Sequence, residues 1–287
     1  MKLSSFYQIL FISLCVLSFV SSLLAQNYKR EEKREMFGIQ LSKEATKLLL
    51  EVEHAYGKKV KEDVVTNWES TVRIGQCDLT SDGVPTIQVN SNNGINEGTI
   101  VHELFHLKQK AEGVPIIAWK TPTTGATVSK EYLTWLRGYV MDLIAHHEFY
   151  PKMRAMGINA TDIEKEQWTD FMDGNDYLQI TDEVIRQQTL TIYYLKMLAE
   201  ENNRKIIKQV TRWYKANNLN SSLELGEELY EIINDSKFNA QTLISNFLKI
   251  INRLCEGQLI FELESWGSNL KGTFQENYVV INVRMKN

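Results

Sequence analysis

The segment 99–109, TIVHELFHLKQ, carries His102 and His106 four residues apart, with Glu103 beside the first. In a helix, positions i and i+4 lie one above the other on the same face, so two imidazoles at this spacing can converge on one point. Convergence requires a helix that is held still, and the flanks meet that need. Ile100, Val101, Leu104, Phe105 and Leu107 are apolar, the pattern of a helix buried at the floor of a cleft. A fold that accepts this segment must therefore bury one helix and bring further polar groups to it from elsewhere in the chain.

Neutral imidazole is a good ligand for Zn2+, and a catalytic zinc takes three protein ligands while keeping one position open for water. Glu103, next to the first histidine, is placed to take a proton from that water. The third ligand has to come from a distance, because LKQKAEGVP after His106 contains no histidine. His54 stands alone on a predicted helix that stops at Gly57. The remaining pair, His146 and His147, lies in DLIAHHEFYP on a helix predicted over Lys130 to Met156, with Pro151 as a kink or boundary and Gly157 as the stop.

On that second helix Leu136, Val140, Leu143 and His147 form one stripe, and Trp135, Tyr139, Asp142, His146 and Phe149 form a parallel one. Two polar groups in an aromatic stripe are costly to bury unless they are paired or bound to metal. The stripe favours His146 as third ligand, with Asp142 orienting it or coordinating in its place. Glu148 competes from the same helix, although it projects about 120° away from Asp142 on the helical wheel. His147 reads as a core histidine.

The order of elements carries a resemblance. A predicted strand, VPTIQVN, precedes the histidine helix by a short polar loop, and this strand, loop and HExxH helix resemble the catalytic core of the zincin metallopeptidases over roughly Val72 to Gly157. The resemblance implies metal ligands at His102 and His106, a general base at Glu103, a strand lying along the cleft antiparallel to bound peptide, and hydrolysis of peptide bonds. The metzincin pattern would require another histidine soon after His106. The gluzincin pattern takes a glutamate from a downstream helix, where Glu148 stands. Lys108 departs from the apolar continuation usual in such helices. Tyr132, Tyr139 and Tyr150 are candidates to hydrogen-bond a developing oxyanion.

Elsewhere, STVRIGQCDL, the turn TSDG and VPTIQVN predict two strands. Beyond Ala160 the spacing predicts helices over TDIEKEQWTDFM, a long run from about Thr181 to Asn217, LELGEELYEIIND and NAQTLISNFLKIINRL, and then strands in LIFELESWG and YVVINVRM. The expected fold is α+β and mainly α: a zincin-like core with a small antiparallel sheet over 26–158, and a mainly helical part over 159–287 packed into the same domain.

Lys2 followed by the apolar run ILFISLCVLSFVSSLLA reads as a signal peptide over 1–25, which predicts a secreted or periplasmic protein with no stable membrane span after cleavage. Residues 26–36 could be a pro-segment. Cys77 and Cys255 would then remain, able to form one disulfide in an oxidising compartment or to stay as free thiols. With a net charge of -4 and no dense basic patch interleaved with aromatics, nucleic acid is not an expected partner; a peptide or protein substrate is. The expected function is a zinc-dependent metallopeptidase. The alternatives are a catalytically inactive zincin-like binding protein and a purely structural helical protein without metal.

Overall fold

Why the chain turns where it does is visible at its first helix in a computed structural model, which describes residues 34–66, 75–90, 94–120, 130–158, 162–174, 176–234 and 237–286. The expected leader, 1–25, lies outside the described residues. After a small hairpin, β1 (Glu35–Met36) and β2 (Ile39–Gln40), Ser42 caps helix α1 (Lys43–Tyr56) by accepting from the Ala45 N–H. Gly57, in the left-handed region at φ 64°, ends it, as the sequence predicts. The stripe Ala45, Leu48, Leu49, Val52 and Tyr56 is buried.

Strands β3 (Lys61–Val65), β4 (Gly75–Leu79) and β5 (Pro85–Asn90) form a sheet in the order β3-β5-β4. The predicted hairpin is β4–β5, closed by the Thr80 N–H donating to the Val84 carbonyl, with Gly83 at φ 72°. Strand β3 is parallel to β5 and is not legible in the sequence: KEDVV is exposed or half-buried throughout and has no apolar alternation. The sheet is therefore mixed rather than antiparallel, because the parallel pairing joins segments with no local signal. VPTIQVN is its central strand, and the edge beside the histidine helix belongs to β4.

Helix α2 (Glu97–Ala111), capped by Asn96, carries the histidine motif and packs on α1, β4 and β5. Strand β6 (Ile116–Lys120) then enters a second sheet that is completed only at the end of the chain by β7 (Leu259–Lys271) and β8 (Phe274–Met285), in the order β6-β8-β7. Here too one pair, β6–β8, is parallel.

Between these strands run α3 (Lys130–Ala155), α4 (Asp162–Gly174), α5 (Glu183–Glu200), α6 (Arg204–Ala216), α7 (Asn220–Asn234) and α8 (Ala240–Leu254). Helix α3 continues through Pro151 to Ala155, since the ring removes one hydrogen bond near an exposed end, and Gly157 (φ 75°) stops the chain there. The predicted long run from Thr181 to Asn217 is two helices, α5 and α6. Glu201 is extended, and the Asn203 side chain caps α6 by accepting from the Lys205 N–H. The chain is mixed α/β and mainly helical. No described helix is long and apolar enough to cross a membrane.

Helix α3 joins two hydrophobic cores. Its first half, Leu133 to Ile144, is buried with α5, α7, α8 and the β6-β8-β7 sheet. Its second half, from Ala145 through Phe149 and Tyr150 to Met153, is buried with α1, α2 and the β3-β5-β4 sheet. His146 sits where the helix passes from one core to the other. A third cluster, rich in aromatic rings, lies among α4, α5, α6 and α7.

Candidate metal centre

Helix α2 is fixed before its histidines are placed. Asn96 accepts from the Thr99 N–H at 2.9 Å, and Tyr56 of α1 donates to the Leu107 carbonyl at 2.8 Å. Ile100, Val101, Leu104 and Leu107 are fully buried and Phe105 nearly so, as the flanks predict. Lys108, the departure from an apolar continuation, leaves this face and pairs with Glu51 of α1 at 2.6 Å.

The helix brings His102 Nε2 and His106 Nε2 to 3.2 Å of one another. Two nitrogens bound to a tetrahedral zinc at about 2.05 Å are separated by about 3.3 Å. His146 of α3 completes the group, its ring centroid 4.7 Å from that of His102 and 5.4 Å from that of His106. The three ligand atoms lie within 4.8 Å of one another and could hold a metal ion.

Around this cluster the packing is aromatic. Phe149 meets the His102, His106 and His146 rings at 5.3, 5.0 and 5.3 Å, and Tyr150 stacks on His146 at 4.7 Å and 10°.

His146 is 7% exposed, and its two ring nitrogens have different fates. Nδ1 lies 2.6 Å from Oε1 of Glu200, the last residue of α5. An ionised carboxylate only accepts, so the proton is assigned to Nδ1 and the lone pair to Nε2. Nε2 is buried without a hydrogen-bond partner. An orphaned acceptor in such a place costs free energy unless a ligand fills it, and a carboxylate behind a histidine is the arrangement that orients metal-binding imidazoles.

Burial pushes all three imidazoles towards neutrality. His102 and His106 fall well below the usual histidine range, by burial first and then by their like-charged neighbours. His146 is pushed down to about 4 by burial, against the opposing pull of Asp142. At neutral pH no proton competes for the three lone pairs.

Glu103 is 5% exposed and lines the same cleft as His102 and His106, a space of about 370 Å³ bordered by Gly75 and Cys77 of β4 and by Met141 and Asp142 of α3. The Cys77 thiol is pushed well above its usual range by burial first and then by the Glu103 carboxylate, to which it donates a hydrogen bond. Gly75 leaves room for that carboxylate: a Cβ there would stand 2.9 Å from Glu103 Oε1. Two strands border the cleft, β4 through Gly75 and Cys77 and β6 through Ile116 and Ile117, and the VPTIQVN strand expected to lie there is one place removed, behind β4.

Of the other candidates, Tyr150 packs on the cluster, its ring 4.7 Å from that of His146 and 5.9 Å from that of His102. Asp142 lines the cleft one turn before His146, but the hydrogen bond that orients His146 is the one its Nδ1–H donates to Glu200. Glu148 is tied between Gln109 of α2, at 3.2 Å, and Lys152. His147 donates to the Ala199 carbonyl at 3.3 Å and is half-buried rather than in the core. Tyr132 donates to Gln188 and Tyr139 meets Tyr193 at 3.5 Å, so neither is directed at the cleft. Cys77 and Cys255 are both free thiols.

Glu200 is the residue that sequence reading misses. Its one local signal is a shared helical row with Lys196 and Tyr193, four and seven residues before it, which says nothing about a histidine 54 positions away. Comparison of the chain with protein-family models, with curated proteins and with solved structures returns no match.

Proposed function

We propose that this chain is a secreted zinc metallopeptidase of zincin type, with His102, His106 and His146 as ligands and Glu103 as general base. The observation that carries the reading is the orphaned Nε2 of His146, buried beside two further neutral imidazoles in a cleft that also holds a glutamate. Three histidines suit zinc better than magnesium or calcium, which prefer oxygen ligands.

When bound, zinc supplies Lewis acidity, bringing the pKa of a water in the cleft towards about 7 and polarising a carbonyl. The residues do the rest. Glu103 accepts the proton of the attacking water and returns it to the leaving amine. Its burial removes competing solvent, and Cys77 holds the carboxylate against β4. Edge strand β4 offers main-chain groups along which an extended peptide can lie. Glu200 and Tyr150 keep His146 in one orientation.

The test is zinc content and peptide hydrolysis of residues 26–287, side by side with Glu103→Gln. About one zinc per chain in both proteins, with hydrolysis lowered by roughly 10²–10⁴ in the variant, is the expected outcome. Full turnover in Glu103→Gln would remove the mechanism. Zinc without turnover of any peptide in the wild type would favour the inactive, zincin-like binding protein.

A further inference from the structure

A second cavity, of about 410 Å³, lies on the other side of His146, between α3, α4 and α5. Its walls are aromatic: Tyr139, Trp168, Phe171, Tyr177 and Tyr193. Phe171 stacks on Tyr193 at 5.2 Å, and the Tyr177 hydroxyl donates to that of Tyr193 at 2.7 Å. Among the described residues, four charged side chains also line it, Asp142, Asp170, Glu200 and Lys196, three carboxylates against one ammonium.

Aromatic faces and an excess of carboxylates have one common complement, a cation on an apolar stem. The stem packs on the rings, the charge meets the negative ring faces, and the carboxylates accept its N–H groups. A neutral side chain would cover the carboxylates without compensating them. Trp168 adds a donor: the residue is 3% exposed, and its indole N–H is buried without a hydrogen-bond partner. A cationic side chain has no acceptor to offer that donor, but a peptide carbonyl does.

Asp142 lines both cavities. His146 stands between them, with Nε2 in the histidine cluster and Nδ1 bonded to Glu200 in the second cavity. A chain crossing the cleft can therefore leave one side chain in the second cavity, past Asp142. We infer that this cavity is the specificity pocket of the site and takes a lysine or arginine side chain of a peptide substrate, next to the bond that is cut. The inference rests on the peptidase reading.

Two measurements separate it from that reading. The first is calorimetric titration of zinc-loaded Glu103→Gln protein with matched peptides carrying arginine or norleucine at one position. The arginine peptide should bind about tenfold tighter, the scale of one cation–π contact plus a charge pair. Asp170→Lys, at an exposed position on α4, puts a cation at the pocket and should reduce that ratio to about one.

Equal affinities in the parent protein, or a ratio that Asp170→Lys leaves unchanged, would overturn the inference. The second measurement is cleavage of a peptide library by wild-type protein. Cutting beside lysine and arginine supports both readings, and cutting with no basic preference overturns the pocket alone. No cutting at all removes the peptidase reading, and the binding ratio still decides what the pocket takes.

Discussion

Helix α2 and the α3–α5 junction contribute to one histidine cluster by different means. In α2 everything needed is local: a four-residue spacing, an Asn96 cap and apolar flanks that bury the helix on α1 and the first sheet. At the α3–α5 junction nothing is local. His146 stands where α3 leaves one core for another, held by a carboxylate from α5 and covered by Tyr150. The difference teaches that a helix can present two ligands on periodicity alone, whereas the third ligand and its orientation depend on the assembled fold.

The hardest test of this comparison removes one ligand from each side. His106→Ala and His146→Ala should both abolish stoichiometric zinc binding, each losing more than the roughly 10–100-fold expected of an outer-shell change. Metal content by mass spectrometry after dialysis decides it. Zinc retained in His146→Ala and lost in His106→Ala would remove His146 from the site and return the third position to Asp142 or Glu148, on the same helix α3.

A smaller effect separates the two carboxylates near His146. Glu200→Ala removes the acceptor of Nδ1–H, so zinc affinity should fall by roughly 10–100-fold, while Asp142→Asn, which leaves that hydrogen bond in place, should cost less. Competition titration with a chelator reads both, alongside the melting temperature of the metal-free proteins. Glu200 is 1% exposed and paired with Lys196 at 3.5 Å as well as with His146. Its loss will therefore also lower stability. A fall in stability with unchanged zinc affinity would make Glu200 a structural ion-pair member only, and the reverse order of the two variants would restore Asp142 as the orienting group.

What the sequence makes legible follows the same division. The α2 motif, its buried flanks, Gly57 and Gly157 as helix stops and the β4–β5 hairpin are all readable from spacing and turn residues. His146 is readable as far as its aromatic stripe. Glu200 is not, because its role exists only where the end of α5 meets α3, and at that end the Glu201–Asn203 break divides what periodicity predicts as one long helix. The mixed sheets are hidden for a related reason. Strands β3 and β6 pair in parallel with partners that no hairpin turn announces, and β6 waits for β8 at the far end of the chain. Identifying β4 rather than β5 as a cleft strand needs the sheet order, which alternation along one strand cannot supply.

The smallest expected change in stability tests a close contact between the α2 side of the site and the sheet. Gly75 is the first residue of β4, and a methyl group there would lie 2.9 Å from Glu103 Oε1, 3.1 Å from its Cγ and 3.1 Å from Thr99 Cγ2. No backbone is among these neighbours, so the clash can be relieved by small shifts of the Glu103 and Thr99 side chains. Gly75→Ala should therefore change folding stability by no more than about 1 kcal/mol, partly offset by the lower unfolded-state entropy of alanine. The displaced carboxylate, however, is the group assigned to carry the proton. A shift of about 1 Å in a catalytic group is worth up to about 10²-fold in rate. Zinc content should stay at the wild-type level, since the three atoms nearest a methyl group at 75 belong to Glu103 and Thr99 and not to a histidine, while peptide turnover falls. Loss of zinc together with turnover would show that β4 supports the ligands themselves. Unchanged turnover at a methyl-bearing position 75 would mean that Glu103 acts from a position the present contact with β4 does not define.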